Sequence, residues 1–530
     1  MMKIKKVFEP RIIFFLCWMA VASAAMGQSA WGDLPVIAQP AFRSDTFNIA
    51  HYGARADGFS LNTAAINSAI NDCHKKGGGV VLVPGGLWLT GPIVLQSGVN
   101  LCIDRAAILQ FSGDFDQYPL VQGNWEGHPA TRCQPPISGT GLDSVGITGT
   151  GIIDGNGEPW RSLVRDKVTE AEWKKKVASG GTVSGDGKTW YPLDKKAAMR
   201  PNLLVLTDCK HVLLEGTTFQ NSPAWCLHFL LCEDLTLRGV RVRNPSYAQN
   251  GDGTDIESCR NVLVEASTFD AGDDGICIKS GRDEEGRKRG RPTENVIIRD
   301  DIVYRAHGGF VIGSEMSGGA RNIFVYNCSF VGTDVGLRFK TVRGRGGVVE
   351  KIYIKNISMK DIIHQAIFLD MYYAAKPPAP SDPTGRLVAD SIVPVTEATP
   401  RFRDIHISGI VCDGAGEAIY VRGLPELNIQ DITFENMVLK ADKGVELIAA
   451  RNISLTNIRL ATRDTDPVIY VENSSGLHFD AIKYNKGAAL LFSINGDKCG
   501  SLSVTGTDMS GATRKTAFNY GATESMFGSK

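Results

Sequence analysis

The chain has 530 residues, with 57 basic and 57 acidic side chains and a hydrophobic content of 43%. A chain of this length can bury a large core, and its formal neutrality excludes a bulk attraction to nucleic acid or to membranes. Stacking aromatic residues are not interleaved with the cations, which argues further against a nucleic-acid partner.

The N-terminus is typical of an export signal. Basic residues precede an apolar run over 12–25, and small residues follow at Ala25-Met26-Gly27. The run is short for a membrane span. We therefore expect residues 1–27 to be a cleaved signal peptide and residues 28–45 a linker. The mature chain is expected to be a monomer without a membrane span, exported to the periplasm or the cell exterior.

The cysteines do not follow a metal-binding pattern. Twelve are present, and eleven remain once Cys17 of the apolar run is set aside. They are scattered and form no CxxC pair, so we expect no zinc site. Most should fill core positions, and the sequence leaves open whether one or two disulfides form in an exported protein.

An internal repeat decides the predicted fold. Short runs that alternate apolar and polar residues recur from His211 onward, for example NVLVEASTF from Asn261 and NISLTNIRL from Asn452. Stacked units of this kind share an interior that one unit alone cannot bury. No helix-length segment separates them, and the run of two-residue hairpin turns expected of a Greek-key sandwich is missing. We predict an all-β, single-stranded right-handed parallel β-helix over residues 46–530, with a side-chain ladder formed by the recurring Asn.

Three segments depart from the repeat. The segment from Asn62 to Lys76 has helical spacing with Asn62 as a candidate N-cap, and it is predicted to cap the open end of the first coil. The insertions near 161–200 and 373–400 are predicted to be long loops, which in compact domains are usually functional or disordered.

Carboxylates recur at about one coil of this repeat. Asp252 lies 21 residues before Asp273, which is followed directly by Asp274. Adjacent strand residues face opposite sides, so the flanking Gly272 and Gly275 are expected to turn the backbone and bring both carboxylates outward. Clustered carboxylates suit a general acid and a base, held roughly 6.5–9.5 Å apart in an inverting glycosidase. The alternative is that they cap turns or bind calcium, and Asp255 is weighed as a structural acid.

Three basic side chains follow at similar intervals. His307 comes between glycine-rich residues and is expected to hydrogen-bond a catalytic carboxyl. Arg338 and Lys340 share one strand face, where an anionic ligand would relieve their repulsion. Further cations between Lys279 and Arg345 suggest a groove for a polyanion. Four tryptophans are candidates either for packing on sugar rings or for packing in the core or loops: Trp88, Trp125, Trp160 and Trp225.

The motifs resemble those of glycoside hydrolase family 28, the polygalacturonases. The four landmarks of that family are similar to Asn250-Gly251-Asp252, Asp273-Asp274, Ala306-His307-Gly308 and Arg338-Phe339-Lys340, in this order. The resemblance implies a pectin-lyase-like solenoid, hydrolysis of α-1,4-galacturonosyl linkages in pectic polysaccharide or oligosaccharides with inversion, and no metal or other cofactor. The word GSEMSGG at Gly313 looks like that of the bacterial exo-acting branch, which implies attack at chain ends.

The resemblance also implies a role for each landmark residue. Asp273 would be the general acid, and Asp252 and Asp274 would activate the attacking water. His307 would tune the acid, while Arg338 and Lys340, together with Asn250, would bind the substrate. Gly251, Ala306 and Phe339 depart from the family pattern, and Gly251 is expected to loosen the backbone that carries Asp252.

Two other functions stay open on the sequence. A pectate lyase on the same kind of solenoid would need calcium and an arginine base. A glycan-binding solenoid without catalysis would use the acids to cap turns.

Overall fold

The protein is described by a computed structural model, which covers residues 34–373, 375 and 391–529. The predicted signal peptide therefore lies outside the described residues, as does most of the insertion near 373–400. Residues Pro35–Lys530 form one compact unit. Among the described residues, no helix has the length and apolar character to cross a bilayer.

The architecture is a parallel β-helix, as predicted. Each coil adds one strand to a 14-stranded sheet and one or two to a 25-stranded sheet. The 14 described strands of the first are Ile93–Val94, Ile137–Thr140, Leu204–Thr207, Leu227–Leu230, Thr254–Glu257, Asp274–Lys279, Gly308–Ile312, Val335–Lys340, Gln365–Asp370, Glu417–Arg422, Lys443–Ile448, Ile469–Glu472, Ala488–Asn495 and Ala512–Asn519.

The larger sheet wraps the two other faces of the coil. Its 25 described strands are Thr46–Asn48, Asp57–Leu61, Gly79–Val83, Gly86–Thr90, Val99–Ile103, Ala107–Phe111, Asp143–Gly149, Ile152–Asp154, Lys210–Glu215, Thr218–Gln220, Glu233–Arg238, Arg241–Arg243, Arg260–Glu265, Thr268–Asp270, Thr293–Arg299, Ile302–Tyr304, Ala320–Tyr326, Ser329–Val331, Val348–Lys360, Arg401–Asp413, Ile429–Ala441, Ala450–Thr462, Ser475–Asp480, Gly500–Thr505 and Phe527–Ser529.

One continuous apolar interior runs through the stack. In the 14-stranded sheet, Ile256, Ile278, Ile312 and Phe339 lie in register on successive strands, and all four are fully buried. Because strand side chains alternate, the residues on either side of this column face outward. The outward face of this sheet therefore presents one row of side chains per coil.

The recurring Asn residues form the predicted ladder. The amide of Asn261 donates to Asp234 at 3.1 Å, Asn295 donates to Asn261 at 3.1 Å, and Asn322 donates to Asn295 at 2.6 Å. These three Asn residues have φ of 57°, 58° and 57°. Asn tolerates this left-handed conformation better than most residues, so one residue type serves both the turn and the ladder.

The capping helix is present as Thr63–Lys75. It buries Ile66, Ala69, Ile70 and Cys73 against the first coil. Asn62 occupies the N-cap position, as predicted, but its side chain makes no cap bond. Instead its carbonyl accepts from the Arg55 N–H at 2.7 Å and its amide donates to backbone carbonyls.

The insertion near 161–200 is folded, contrary to the loop prediction. It contains the helix Glu170–Ala178 and an antiparallel sheet of three short strands. These strands are Leu163–Val164, Thr182–Val183 and Thr189–Tyr191. Leu163, Trp173 and Trp190 form its own apolar cluster. A capping box between Thr169 and Glu172 starts the helix, and this signal was present in the sequence.

Two further elements were not predicted. A hairpin pairs Leu120–Trp125 with His128–Cys133 through a two-residue turn, in which Glu126 has φ 48° and Gly127 has φ 82°. A short helix spans Asp283–Arg289. The eleven cysteines among the described residues are all free and ten of them are buried, so the core-filling interpretation is confirmed.

Candidate active site

Three carboxyl groups converge on the outward face of the 14-stranded sheet. Asp252 precedes the strand Thr254–Glu257, and Asp274 begins the next strand, Asp274–Lys279. These strands pair in register, so consecutive coils present the acids side by side. One oxygen each of Asp252, Asp273 and Asp274 lies within 4.8 Å of the other two.

The two glycines beside Asp273 and Asp274 work by close approach. A Cβ at Gly272 would lie 2.4 Å from the Pro245 carbonyl oxygen, and a Cβ at Gly275 would lie 2.4 Å from Val303 Cγ1. Neither glycine has a positive φ. The predicted turn of the backbone is therefore at the expected place. Glycine is required there because neighbouring atoms leave no room for a Cβ, and not because the backbone is left-handed.

His307 lies against Asp273. Its Nδ1 is 3.0 Å from Oδ1 of Asp273, and its Nε2 is 3.8 Å from Asp334. The backbone N–H of His307 also donates to the carbonyl of Asp273 at 2.8 Å. The two residues are thus joined both through their side chains and through the backbone.

Arg338 and Lys340 lie on the strand Val335–Lys340, one coil beyond His307. The Lys340 ammonium is 2.6 Å from Asp274 Oδ2, and Nη1 of Arg338 is 3.3 Å from Asp274 Oδ1. Nε of Arg338 is buried without a hydrogen-bond partner, and so is Oδ1 of Asp252. Buried polar atoms normally have a partner, so these two mark where a ligand or water would bind.

Asn250 and Gly251 fix the position of Asp252. The side-chain oxygen Oδ1 of Asn250 accepts a hydrogen bond from the Arg200 guanidinium at 2.7 Å. The N–H of Gly251 donates to Ala248 at 3.0 Å, and its carbonyl accepts from the Gly272 N–H at 3.0 Å. A Cβ at Gly251 would lie 2.8 Å from the Ala248 oxygen. The expectation that Gly251 loosens this backbone is therefore wrong, because hydrogen bonds hold the glycine on both sides.

The other two departures from the family pattern lie in the core. Ala306 is fully buried, and its carbonyl accepts from Asp334 at 2.8 Å. Phe339 is fully buried with edge contacts to Phe310 and Phe402. Neither side chain reaches the pocket that holds the acids.

A second buried charge group lies beside the acids. The Lys279 ammonium is 2.8 Å from Glu315 and 3.6 Å from Asp255, and it lies 4.6 Å from the centre of the Trp225 ring. The sequence placed Lys279 only among general cations and gave Glu315 no role. In the structure, Lys279 lies in register with Glu257 on the neighbouring strand.

The acids line a cavity of about 410 Å³, together with Trp225, Lys279, Glu315 and Tyr373. A layered wall of side chains includes Trp225 and Lys279 from this lining. The Arg132 guanidinium lies 3.8 Å from the Trp125 ring centre, Trp125 stacks on Trp225 at 6.1 Å, and the Lys279 ammonium lies over the Trp225 ring at 4.6 Å. Trp88 and Trp160 are core residues with 2% and 1% exposure.

Most of the cations noted in the sequence are already paired. Arg289 contacts Glu257 at 2.7 Å, Arg343 contacts Glu426 at 2.7 Å, and Lys288 contacts Glu284 at 2.8 Å. Only Lys279, Arg282 and Arg345 of this set line the cavity that holds the acids. Because these cations are paired, this region attracts a polyanion much less than the number of its cations suggests.

The charge states differ between the three acids. Burial, reinforced by Asp255 and Asp273, raises the pKa of Asp252 well above its usual value. Burial also acts to raise the pKa of Asp273, but the hydrogen bond and the charge of His307 outweigh it and lower the pKa. Asp274 likewise has a lowered pKa, because Lys340 and Arg338 outweigh its burial. Burial thus favours the protonated form of Asp252, whereas the partners of Asp273 and Asp274 favour their ionised forms.

The three acids are near enough to share a hard cation. Asp274 already accepts from two cations, and Asp273 faces His307, whose pKa is raised by that hydrogen bond. A metal ion at Asp274 would lie beside the Lys340 ammonium and be repelled. The arrangement suits proton transfer and anion binding better than calcium.

Comparisons with known proteins agree with this geometry. A family model described as "Glycosyl hydrolases family 28" matches residues 164–399, and one described as "Rhamnogalacturonase A/epimerase, pectate lyase-like" matches residues 46–129. A probable polygalacturonase of Vitis vinifera is 28% identical over 75% of this chain and 74% of its own length. An exo-poly-alpha-D-galacturonosidase of Dickeya chrysanthemi is 28% identical over 62% of this chain, which matches 57% of that protein.

Among solved structures, a hyperthermoactive exopolygalacturonase of Thermotoga maritima has a TM-score of 0.67 and 29% identity, covering 80% of this chain and 93% of that one. This likeness confirms the right-handed parallel β-helix. The protein is a glycoside hydrolase. Residues 164–399 place this part of the chain in family 28 of the glycosyl hydrolases.

Proposed function

We propose that the protein hydrolyses α-1,4-galacturonosyl linkages of pectic polysaccharide or oligosaccharides, using the pocket around Asp252, Asp273 and Asp274. The observation that carries the proposal is the meeting of three carboxyl groups, within 4.8 Å of one another, with Arg338 and Lys340 on one sheet face. The acids supply acid and base, and the cations supply recognition of a carboxylate. Exo- and endo-acting galacturonan hydrolases among the relatives support this substrate class.

In the proposed mechanism, Asp273 gives a proton to the glycosidic oxygen as the bond to the anomeric carbon breaks. In the ligand-free pocket Asp273 is ionised, so it must first receive that proton. The Nδ1–H of His307 points at Oδ1 of Asp273 and supplies it. Because the two groups share one proton, they titrate as a pair.

A water molecule attacks the anomeric carbon from the opposite side. Oδ1 of Asp252 has no hydrogen-bond partner and is the proposed acceptor of the water proton, with Asp274 orienting the same water. Asp252 must be ionised for this step, so its raised pKa limits activity at low pH. The proposed roles of the acids are those implied by the resemblance.

Arg338 and Lys340 are proposed to hold the carboxylate of a galacturonosyl unit. Each cation already contacts Asp274, but Arg338 keeps a buried Nε–H without a partner and Lys340 has three ammonium hydrogens. Tyr373 lies over both cations, with its ring centre 6.0 Å from the Arg338 guanidinium and 5.1 Å from the Lys340 ammonium. It offers a ring against which a sugar could pack.

The same wall supports attack at chain ends. We propose that the stack of Arg132, Trp125, Trp225 and Lys279 closes one end of the cavity. The folded insertion fixes this wall, because Arg132 donates to the carbonyls of Ala198 and Arg200. A polymer could then enter from one side only, and its terminal unit would meet the wall.

One assay separates the three candidate functions. Polygalacturonate is incubated with the protein and EDTA, while reducing ends and the ultraviolet absorbance of unsaturated products are followed. Hydrolysis predicts reducing ends without absorbance in the presence of the chelator. Absorbance that EDTA abolishes would establish a calcium-dependent lyase, and no product from any pectic fragment would favour a binding protein without catalysis.

Chain-end attack has its own test. Defined galacturonate oligomers should lose short products from one end, with little early loss of polymer viscosity. Trp125→Ala opens the wall and should produce internal cuts, whereas Tyr191→Ala, at an exposed tyrosine of the insertion, should not. Early viscosity loss with the unaltered protein would contradict exo action.

We also infer that the protein is exported as a monomer after removal of residues 1–27. The basic and apolar pattern of those residues supports export, and the absence of a membrane-crossing helix in the described part of the chain is compatible with it. N-terminal sequencing and size-exclusion chromatography of the exported protein test both points.

A further inference from the structure

A second cavity lies on the same outward face, on the N-terminal side of the wall. Its volume is about 620 Å³. Its floor includes Ser138, Val205 and His228, which lie in register on successive strands, and its roof is the hairpin of residues 120–133. The three acids and Lys340 belong to the other cavity. The space is separate from the proposed catalytic pocket.

A chain of hydrogen bonds fixes the orientation of one polar group in this cavity. Arg289 contacts Glu257 at 2.7 Å, Glu257 lies 2.9 Å from Nε2 of His228, and Nδ1 of His228 lies 3.2 Å from the amide nitrogen of Asn202. Burial opposes the charge on Glu257, but His228 and Arg289 lower its pKa, so the carboxylate accepts. Nε2 of His228 therefore donates to it, and the amide nitrogen of Asn202, which can only donate, donates to Nδ1.

This orientation leaves the side-chain carbonyl oxygen of Asn202 without a hydrogen-bond partner. Asn202 is only 5% exposed and lines the space, and its Oδ1 is buried with no hydrogen-bond partner. A buried acceptor without a partner costs about 1–3 kcal/mol, so a ligand that brings a donor gains affinity. A hydroxyl group is a suitable donor of small size.

The rest of the lining selects against a charged ligand. None of the described residues that line the cavity is Asp, Glu or Lys. The guanidinium of Arg132 is committed to the Trp125 ring and to the carbonyls of Ala198 and Arg200. Val205 and Leu230 lie on the floor, and prolines also line the cavity. A carboxylate would be desolvated here without a free cationic partner among the described residues.

We propose that this hairpin cavity is a binding site for a neutral sugar unit, with a hydroxyl donating to Asn202 Oδ1 and a deoxygenated or substituted edge against Val205 and Leu230. Trp125 lines this cavity, while its stacking partner Trp225 lines the catalytic pocket, so the two sites share one wall. The inference does not rest on the proposed hydrolysis.

Saturation-transfer NMR on the full chain tests the site. The probes are methyl α-L-rhamnopyranoside, a neutral 6-deoxy sugar, and methyl α-D-galacturonide. The rhamnoside should receive saturation that the galacturonide does not displace. Val205→Phe, which fills the floor, should abolish that signal, and Asn202→Leu should weaken binding by about two- to tenfold, the value of one neutral hydrogen bond.

Val411→Phe is the matched control, because Val411 is 53% exposed on the other sheet. It should leave rhamnoside binding unchanged, and thermal melts should show all three variants folded. No saturation of the rhamnoside by the unaltered protein would overturn the proposal. So would a signal that survives Val205→Phe in a folded variant.

Discussion

Nδ1 of His307 lies 3.0 Å from Oδ1 of Asp273, and the backbone of the two residues is joined by a further hydrogen bond of 2.8 Å. This fixes the ring and couples two titrations. The hydrogen bond to Asp273 raises the pKa of His307, while His307 overcomes the burial of Asp273 and lowers the pKa of that carboxyl. The pair therefore keeps one proton up to a pH above the pKa of an ordinary histidine.

A bell-shaped pH profile follows from these directions. Activity should rise with pH as Asp252 loses its proton, and this rise should lie above the range of an ordinary aspartate because burial raises the pKa of Asp252. Activity should fall as the pair of His307 and Asp273 loses its proton. The measurement is kcat/KM against pH with a defined galacturonate oligomer.

His307→Asn identifies the falling side of that profile. The amide can still donate a hydrogen bond to Asp273 but carries no titratable proton. The fall should move to lower pH and kcat should drop. His211→Asn, at a histidine on the larger sheet that contacts Asp143 at 2.9 Å, is the control. An unmoved fall in His307→Asn would show that another group controls it.

Asp273→Asn should lower turnover by orders of magnitude with little loss of stability. The substitution preserves the shape of the side chain and removes the proton donor. The loss of stability should be small because the side chain is partly exposed to the pocket. Turnover and the free energy of unfolding should be measured together. Asp300→Asn, at an exposed aspartate on the larger sheet, should change neither. Ordinary turnover in Asp273→Asn would refute its assignment as the acid.

Arg338→Gln should raise KM for galacturonate oligomers by about 10- to 100-fold. Hydrogen bonds to charged groups contribute about 1.5–3 kcal/mol, and the planar fork of arginine is lost. Arg321→Gln is a suitable control, because Arg321 pairs with Glu294 at 2.7 Å on the other sheet. A KM unchanged by Arg338→Gln would mean that the carboxylate binds elsewhere.

Lys279→Met should destabilise the protein by about 3–5 kcal/mol near neutral pH, because it leaves buried carboxylates without their cation. Burial acts to raise the pKa of Glu315, but Lys279 outweighs it and lowers that pKa to about 2. In the native protein, this pair therefore stabilises the fold above the pKa of an unfolded Glu and ceases to do so as the pH falls toward about 2.

In the variant, Glu315 can take up a proton at higher pH, so the stability deficit should shrink on acidification. Chemical denaturation at several pH values measures this. Glu315→Gln in the Lys279→Met background should recover part of the loss at neutral pH. A deficit that does not depend on pH would point to lost packing against Trp225 instead.

The spacing of the acids makes the stereochemistry worth measuring. For the two carboxyl groups of an inverting enzyme we expected a separation of roughly 6.5–9.5 Å. This prediction is wrong here, because the nearest carboxyl oxygens of the three acids lie within 4.8 Å of one another. Three acids take part here, and Asp252 and Asp274 can hold the water jointly. We expect the β-anomer to appear first by proton NMR. The α-anomer as first product would indicate a covalent intermediate on a carboxylate.

Much of the fold could be predicted because its periodicities are local. Alternation of apolar and polar residues sets the strand faces, and the spacing of the Asn residues from Asn261 to Asn322 sets the ladder. The folded insertion was missed because its cluster of Leu163, Trp173 and Trp190 joins residues that are distant in sequence. The capping box of Thr169 and Glu172 was the sequence signal for the helix of this insertion.

The sequence by itself determined the repeat, the order of the acids and the shared strand face of Arg338 and Lys340, because each depends on spacing along one chain. Only the tertiary structure decided which acid of the cluster has a raised pKa. Burial of Asp252 and contact of Asp273 with His307 act between coils, and electrostatic energies depend on distance and solvent exposure that spacing does not give. The same holds for the wall of Trp125 and Trp225, whose rings come from a hairpin and a coil about 100 residues apart.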